Sequence, residues 1–257
     1  MKRRDASRRR IAGQGMTELL VAAPLLLFFG FVTVQLVLLY QAKSTLDVAV
    51  LEAAREGAVN HGSMNAIQAG LARGLTPLYA RRADAPGFQA ALLAARRAVA
   101  SIEIVSPTPA MTRDFARPRF YPDEGATHDE IPNDTLMYRD TVRGPESGVN
   151  VQDANLLKVR VHYCFDMAVP VANKVLYYAT NVIGNIAANG VFSREPADAN
   201  VDVYGSPRRP DAVCSTTLAD GLQSGRWPVA LESEAVVRMQ SPFPADVANE
   251  FRVMTGR

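Results

Sequence analysis

The chain has 257 residues, 48% apolar and 21% charged. These are the proportions of a folded protein, and the length allows one sizeable domain or two small ones with a core that needs no staples. The formal net charge of +2 is unevenly placed: Lys2, Arg3, Arg4, Arg8, Arg9 and Arg10 stand against Asp5 alone in residues 1–13, leaving 22 basic and 25 acidic residues for the remainder. The body therefore lacks an obvious basic patch, and no nucleic-acid partner is expected.

Behind this basic head, residues 19–40 carry no charge. As a helix, a run of that length spans about 33 Å, close to the ~30 Å hydrocarbon core of a bilayer. No later stretch is long and apolar enough for a second span. The positive-inside bias puts the N-terminus in the cytoplasm and everything after Tyr40 on the outer side. A cleavable secretory signal with a cut at Ala42-Lys43-Ser44 is the alternative. The apolar run is too long for it, and an uncleaved anchor fits the length better.

The residues at the rim of the span add a third reading. In Gly13-Gln14-Gly15-Met16-Thr17-Glu18 a carboxylate falls on the fifth residue after Gly13, with basic residues before it and the span directly behind. This resembles the processing site of type IV prepilins, which a membrane aspartyl peptidase cuts after the glycine. The resemblance implies cleavage between Gly13 and Gln14, with Glu18 as fifth residue of the mature chain. A cut after Gly15 would leave Glu18 third, a poorer match. A carboxylate at the centre of a bilayer is unfavourable by about 2.5–3.5 kcal/mol on insertion scales, so such a group generally faces a partner. In the pilin family that partner is the new α-amino group of a neighbouring subunit, which makes Glu18 the expected assembly contact. The plainer alternative is an interfacial Glu18 meeting the positive end of the helix dipole.

The stretch Glu18-Leu19-Leu20-Val21-Ala22-Ala23-Pro24-Leu25-Leu26-Leu27 is similar to the start of TadE-like proteins, the pseudopilins of tight-adherence (Flp-type) pilus systems. Pro24 stands six residues after the glutamate, as in that family. Leu19 replaces the aromatic that usually follows the glutamate. A proline there removes a backbone hydrogen bond and predicts a kink early in the span, although membrane helices tolerate it. The helix is expected to continue past the membrane to Gly57, with Leu46, Ala49, Val50, Ala53 and Gly57 on one narrow, small-faced stripe. Such a stripe suits packing in a filament core; it suits equally a helix lying on its own domain.

Beyond it, a helix is predicted over 64–80, weakened by Pro77, and another from Phe88 to Val99. A short strand from Ile102 to Val105 follows, closed by Pro107. Residues 108–155 are polar, rich in Pro, Gly and Asp, and read as a long surface loop. Alternation then gives a strand through Leu157, Val159, Val161, Tyr163 and Phe165, and a second through Val229, Leu231, Ser233, Ala235, Val237 and Met239. Both resemble the paired strands of the TadE-like C-terminal region. Between them Val171, Val175, Tyr178, Val182 and Ile186 fall at helical spacing, followed by a loop over 192–226. The fold class is α+β: a long N-terminal transmembrane helix continuing into a small exported domain with an antiparallel sheet and flanking helices. Its parts are a basic cytoplasmic leader (1–13), the transmembrane and assembly helix (14–60) and an extracytoplasmic domain (61–257).

Cys164 and Cys214 are the only cysteines. In an oxidising compartment an even pair is most simply a disulfide, worth up to about 4 kcal/mol in the chain-entropy model; two unpaired, partly buried thiols are the alternative. No phosphate-binding loop, dinucleotide turn or nucleophile elbow occurs. His61, His128 and His162 lack the spacing of a metal site, and the acidic pairs at 123–124 and 129–130 read as loop charges. Asn133-Asp134-Thr135 is a glycosylation sequon by pattern only.

No catalysis, cofactor or metal is expected. The resemblance implies a non-enzymatic minor pseudopilin in the bacterial inner membrane, its C-terminal domain periplasmic or in a surface pilus. The implied partners are a prepilin peptidase, other pilin or pseudopilin subunits, the inner-membrane pilus machinery and membrane lipid. A pseudopilin of another secretion system, and a membrane-anchored extracytoplasmic enzyme or binding protein, are the competing readings.

Overall fold

A computed structural model describes residues 14–82, 84–182, 225–246 and 252–254. The apolar run and the amphipathic stretch behind it form one helix, α1 (Gln14–Val59), whose helical assignment passes through Pro24. It ends in a turn where His61 and Gly62 both take positive φ, 56° and 71°. A Cβ on Gly62 would lie 2.4 Å from the Phe243 ring, so glycine is required there by both conformation and space. The His61 amide donates to Ser241 Oγ at 2.8 Å and its Nδ1 contacts the Pro242 carbonyl at 3.0 Å, which makes His61 a structural residue of the turn.

The chain then returns as α2 (Met64–Tyr79), antiparallel to α1. The crossing is built on small residues: a Cβ on Gly74 would sit 2.5 Å from Ala49 Cα, and one on Gly70 3.0 Å from Ala53 Cα. The predicted stripe Leu46, Ala49, Val50, Ala53 is completely buried here. Of its two readings, the structure realises the one in which the helix lies on its own domain.

Helix α3 (Ala85–Ala98) starts three residues earlier than expected, because Asp84 caps it by accepting from the Gly87 amide at 3.0 Å. It runs directly into β1 (Val99–Ser106). Strands β4 (Leu156–Asp166) and β5 (Pro228–Arg238) match the two alternating stretches to within about a residue. With β7 (Arg252–Met254) they form an antiparallel sheet in the order β5-β4-β1-β7. One face of this sheet, carrying Ile102, Leu157, Val159, Val161 and Leu231, closes on Leu46, Val50 and Ala54 of α1 and Ile67, Leu71 and Leu75 of α2. The core is therefore a layer of helices on a sheet, and the fold is α+β.

Residues 108–155 are not a featureless loop. Thr108 caps a short helix, α4 (Pro109–Phe115), and β2 (Arg117–Tyr121) pairs with β3 (Ala126–Ile131) as a hairpin, extended by β6 (Phe243–Pro244). A short α5 (Val151–Ala154) leads into β4. The hairpin escaped prediction because β2 is exposed along nearly its whole length, which leaves no two-residue alternation to read. After β4, α6 is described over Ala172–Val182. Ile186, Cys214 and the predicted loop from 192 to 224 lie outside the described residues.

Candidate functional site

Helix α1 divides into two parts. From Gly15 to Val34 no residue with a described side chain is buried; Leu20, Val21, Leu26 and Leu27 are among the exposed. Burial begins abruptly at Gln35, which is fully enclosed, and continues through Leu39, Ala42 and Leu46. The free part holds twenty residues, about 30 Å of helix, which equals the hydrocarbon thickness of a bilayer. Among the described residues α1 is the one helix long and apolar enough to cross a membrane. Water does not solvate such a surface favourably, so lipid or other apolar helices are its natural surroundings.

Of the residues singled out from sequence, Gly13 lies outside the described part and Gln14 is the first residue of α1. Glu18 is exposed near the start of the free segment. It stands seventeen residues, about 26 Å along the axis, before Gln35, which puts the carboxylate close to the far rim of the apolar part rather than at its centre. Pro24 is exposed on the same segment. Cys164 is buried in β4, some distance along the chain from all of these. His128 is exposed and contacts Glu124 at 3.0 Å, a surface pair on the hairpin. Among the described residues no group of three or more His, Cys, Asp and Glu could hold a metal ion.

Sequence reading missed a charged row on the sheet face turned away from α1. Arg160 of β4 lies opposite Glu103 of β1 and Glu234 of β5 in the strand register. Its Nε donates to Glu234 at 2.5 Å, while Glu232 and Glu103 each approach within 3.6 Å. Lys158 reaches Glu234 at 3.2 Å. The Arg160 side chain is only 4% exposed. The signal was present: Lys158 and Arg160 share one parity on β4, and Glu232 and Glu234 share the facing parity on β5. Only the pairing register brings them together.

Burial by itself pushes the Glu234 carboxyl up, yet the Arg160 charge and hydrogen bond, with help from Lys158, hold it below the ordinary glutamate range. A value lowered by folding gives stability that is complete above the ordinary 4.5 and is lost as pH falls through the folded value. Thermal unfolding of the detergent-solubilised chain should therefore show a midpoint that declines below that pH. Glu234→Gln should flatten this decline; an unchanged acid limb in the variant would remove Glu234 from the account.

A second polar feature sits where the sheet meets α1. The Tyr79 and Tyr163 hydroxyls are 2.5 Å apart, and burial raises both phenols above their usual range. They border a cavity of about 750 Å³ that also reaches Leu38, Gln41, Phe165 and the Arg226–Asp166 pair. Among the described lining residues none sets a nucleophile beside a base.

Together these features define a class: a chain with one long apolar helix, a candidate membrane span in its first half, whose second half is built into an α+β head. A family model described as TadE-like protein matches residues 13–55, which bears out over that segment the resemblance read over residues 13–60. The match covers nearly all of α1 and none of the head beyond it. No curated protein and no solved structure matches the chain.

Proposed function

We propose that this protein is a minor pseudopilin that takes part, without turnover, in assembling a tight-adherence pilus. The observation that carries the reading is the free twenty-residue segment of α1, apolar and unburied, lying in register with the Gly13–Glu18 motif inside the TadE-like match. In this reading a prepilin peptidase cuts after Gly13 and frees Gln14. The free segment crosses the inner membrane with the head on the outer side, and other pilin subunits and the assembly machinery engage it there. Glu18, at the rim, is the polar contact for the α-amino group of a neighbour, and Pro24 is a weak point that eases departure from the bilayer. Cys164 and Cys214 close a disulfide in the oxidising compartment. No residue is assigned a catalytic role.

The test is the intact mass and N-terminal sequence of membrane-extracted protein, expressed with and without a cognate prepilin peptidase. The expected chain begins at Gln14 only when the peptidase is present. A chain that keeps its basic leader under both conditions would be an anchored exported domain, and a start near Thr45 would mean ordinary secretory cleavage. The same mass taken before and after reduction reports the disulfide as a gain of two hydrogens.

A further inference from the structure

Helix α6 presents its apolar stripe outward. Val171, Val175 and Tyr178 are 53%, 45% and 52% exposed, while the opposite side buries Ala172 and Tyr177. Tyr177 packs edge-on against Trp227 at 5.3 Å between ring centroids, in a cluster with Leu39 and Met167. Val171 also holds φ at 68°, a conformation that a β-branched residue adopts only under strain. Among the described residues the packing of the head gives no explanation for an exposed, strained valine.

Its position along α1 supplies one. The Val169 amide, two residues before the stripe, donates to Gln35 Oε1 at 2.9 Å, and Gln35 is where the free, bilayer-length part of α1 ends. The start of α6 thus lies at the level where the span leaves the hydrocarbon. At that level a face turned away from the head stands near the lipid surface, and Leu36, Val37 and Tyr40 of α1 are exposed there too. Lys174 lies beside the stripe, 5.9 Å above the Trp227 ring, and the described α6 carries no carboxylate. A short helix with an apolar face, a lysine and an exposed tyrosine has the chemistry of the headgroup boundary.

We propose that α6 seats the head on the outer leaflet, with Val171, Val175 and Tyr178 inserted at the headgroup boundary and Lys174 facing anionic headgroups. The inference rests on the reading of α1 as a span. The test uses the full chain in vesicles of phosphatidylethanolamine and phosphatidylglycerol whose acyl chains carry bromine near the carbonyl. Tyr178→Trp and Phe120→Trp are compared with the unsubstituted chain, in which Trp227 is the only tryptophan. Phe120 is exposed on the hairpin, whose β3 pairs with β6 beside Gly62 in the turn that ends α1, at the opposite end of the enclosed half of α1 from Gln35.

The added emission of Tyr178→Trp should be largely lost to brominated lipid and spared by aqueous acrylamide, and that of Phe120→Trp should behave the opposite way. Adding Val175→Glu should restore acrylamide quenching at position 178. Quenching of Tyr178→Trp by acrylamide alone, in a chain that resists carbonate extraction, would leave the span intact and overturn the docking. Protection from both quenchers would mean a protein partner covers α6, and also overturns it. Extraction of the chain by carbonate would remove the span itself, and the docking with it.

Discussion

Replacing Arg160 with methionine should lower the stability of the head by about 3–5 kcal/mol, the usual cost of breaking a buried ion pair from one side. Methionine keeps the length and apolar volume of the side chain, so the loss reports charge rather than packing. What is left behind is the problem: Glu103, Glu232 and Glu234 have lost the guanidinium they share, while Lys158 reaches Glu234. The double variant Arg160→Met with Glu234→Gln removes one stranded carboxylate together with its partner. It should recover part of the loss, because residues that share a network do not contribute additively. Denaturant melts of the solubilised chain, followed by circular dichroism, read both effects. A single variant that costs under about 1 kcal/mol would place this row among weakly contributing surface pairs.

How much of this was visible in the sequence depended on whether the two faces of an element carry side chains of different polarity. Strands β4 and β5 were legible because Leu157, Val159 and Val161 alternate with charged residues; the apolar face is the core, although the charged face of β4 is buried as well. The same logic failed for β2, where Phe120 and its neighbours are exposed on both sides and no contrast survives. For α6 the spacing marked a helix but not the side it buries. Spacing marks Val171, Val175 and Tyr178 as a stripe but is silent on whether it faces protein or lipid, and the burying side is instead Ala172 and Tyr177. The boundary at Gln35 was equally hidden. An uncharged run from Leu19 to Tyr40 gives the length of a span but not the residue at which the head closes around it. The charged row needed the strand register, which no local pattern contains.

The division of α1 into a free and an enclosed half also decides how glycine substitutions should separate folding from assembly. Gly74→Leu puts a large side chain where a single Cβ would already lie 2.5 Å from Ala49 Cα. A backbone atom has no rotamer to turn away. The helices must move apart, and the expected loss is about 1–3 kcal/mol or more, as for overpacked cores. The melting midpoint of the solubilised chain should fall accordingly. Gly30 is the counterpart in the free segment, where an added Cβ meets nothing within 4 Å. Gly30→Leu should leave that midpoint unchanged. In the proposed pseudopilin, however, a small residue on the exposed face is where a neighbouring helix approaches closely, and a leucine should keep it away. Gly30→Leu should therefore reduce incorporation into pilus fractions while the purified chain melts normally. If Gly30→Leu assembled as well as the unsubstituted chain and Gly74→Leu melted at the same temperature, α1 would not be divided in this way. Loss of assembly in Gly30→Leu alone would instead locate the contacts between subunits on the half of α1 that the head leaves bare.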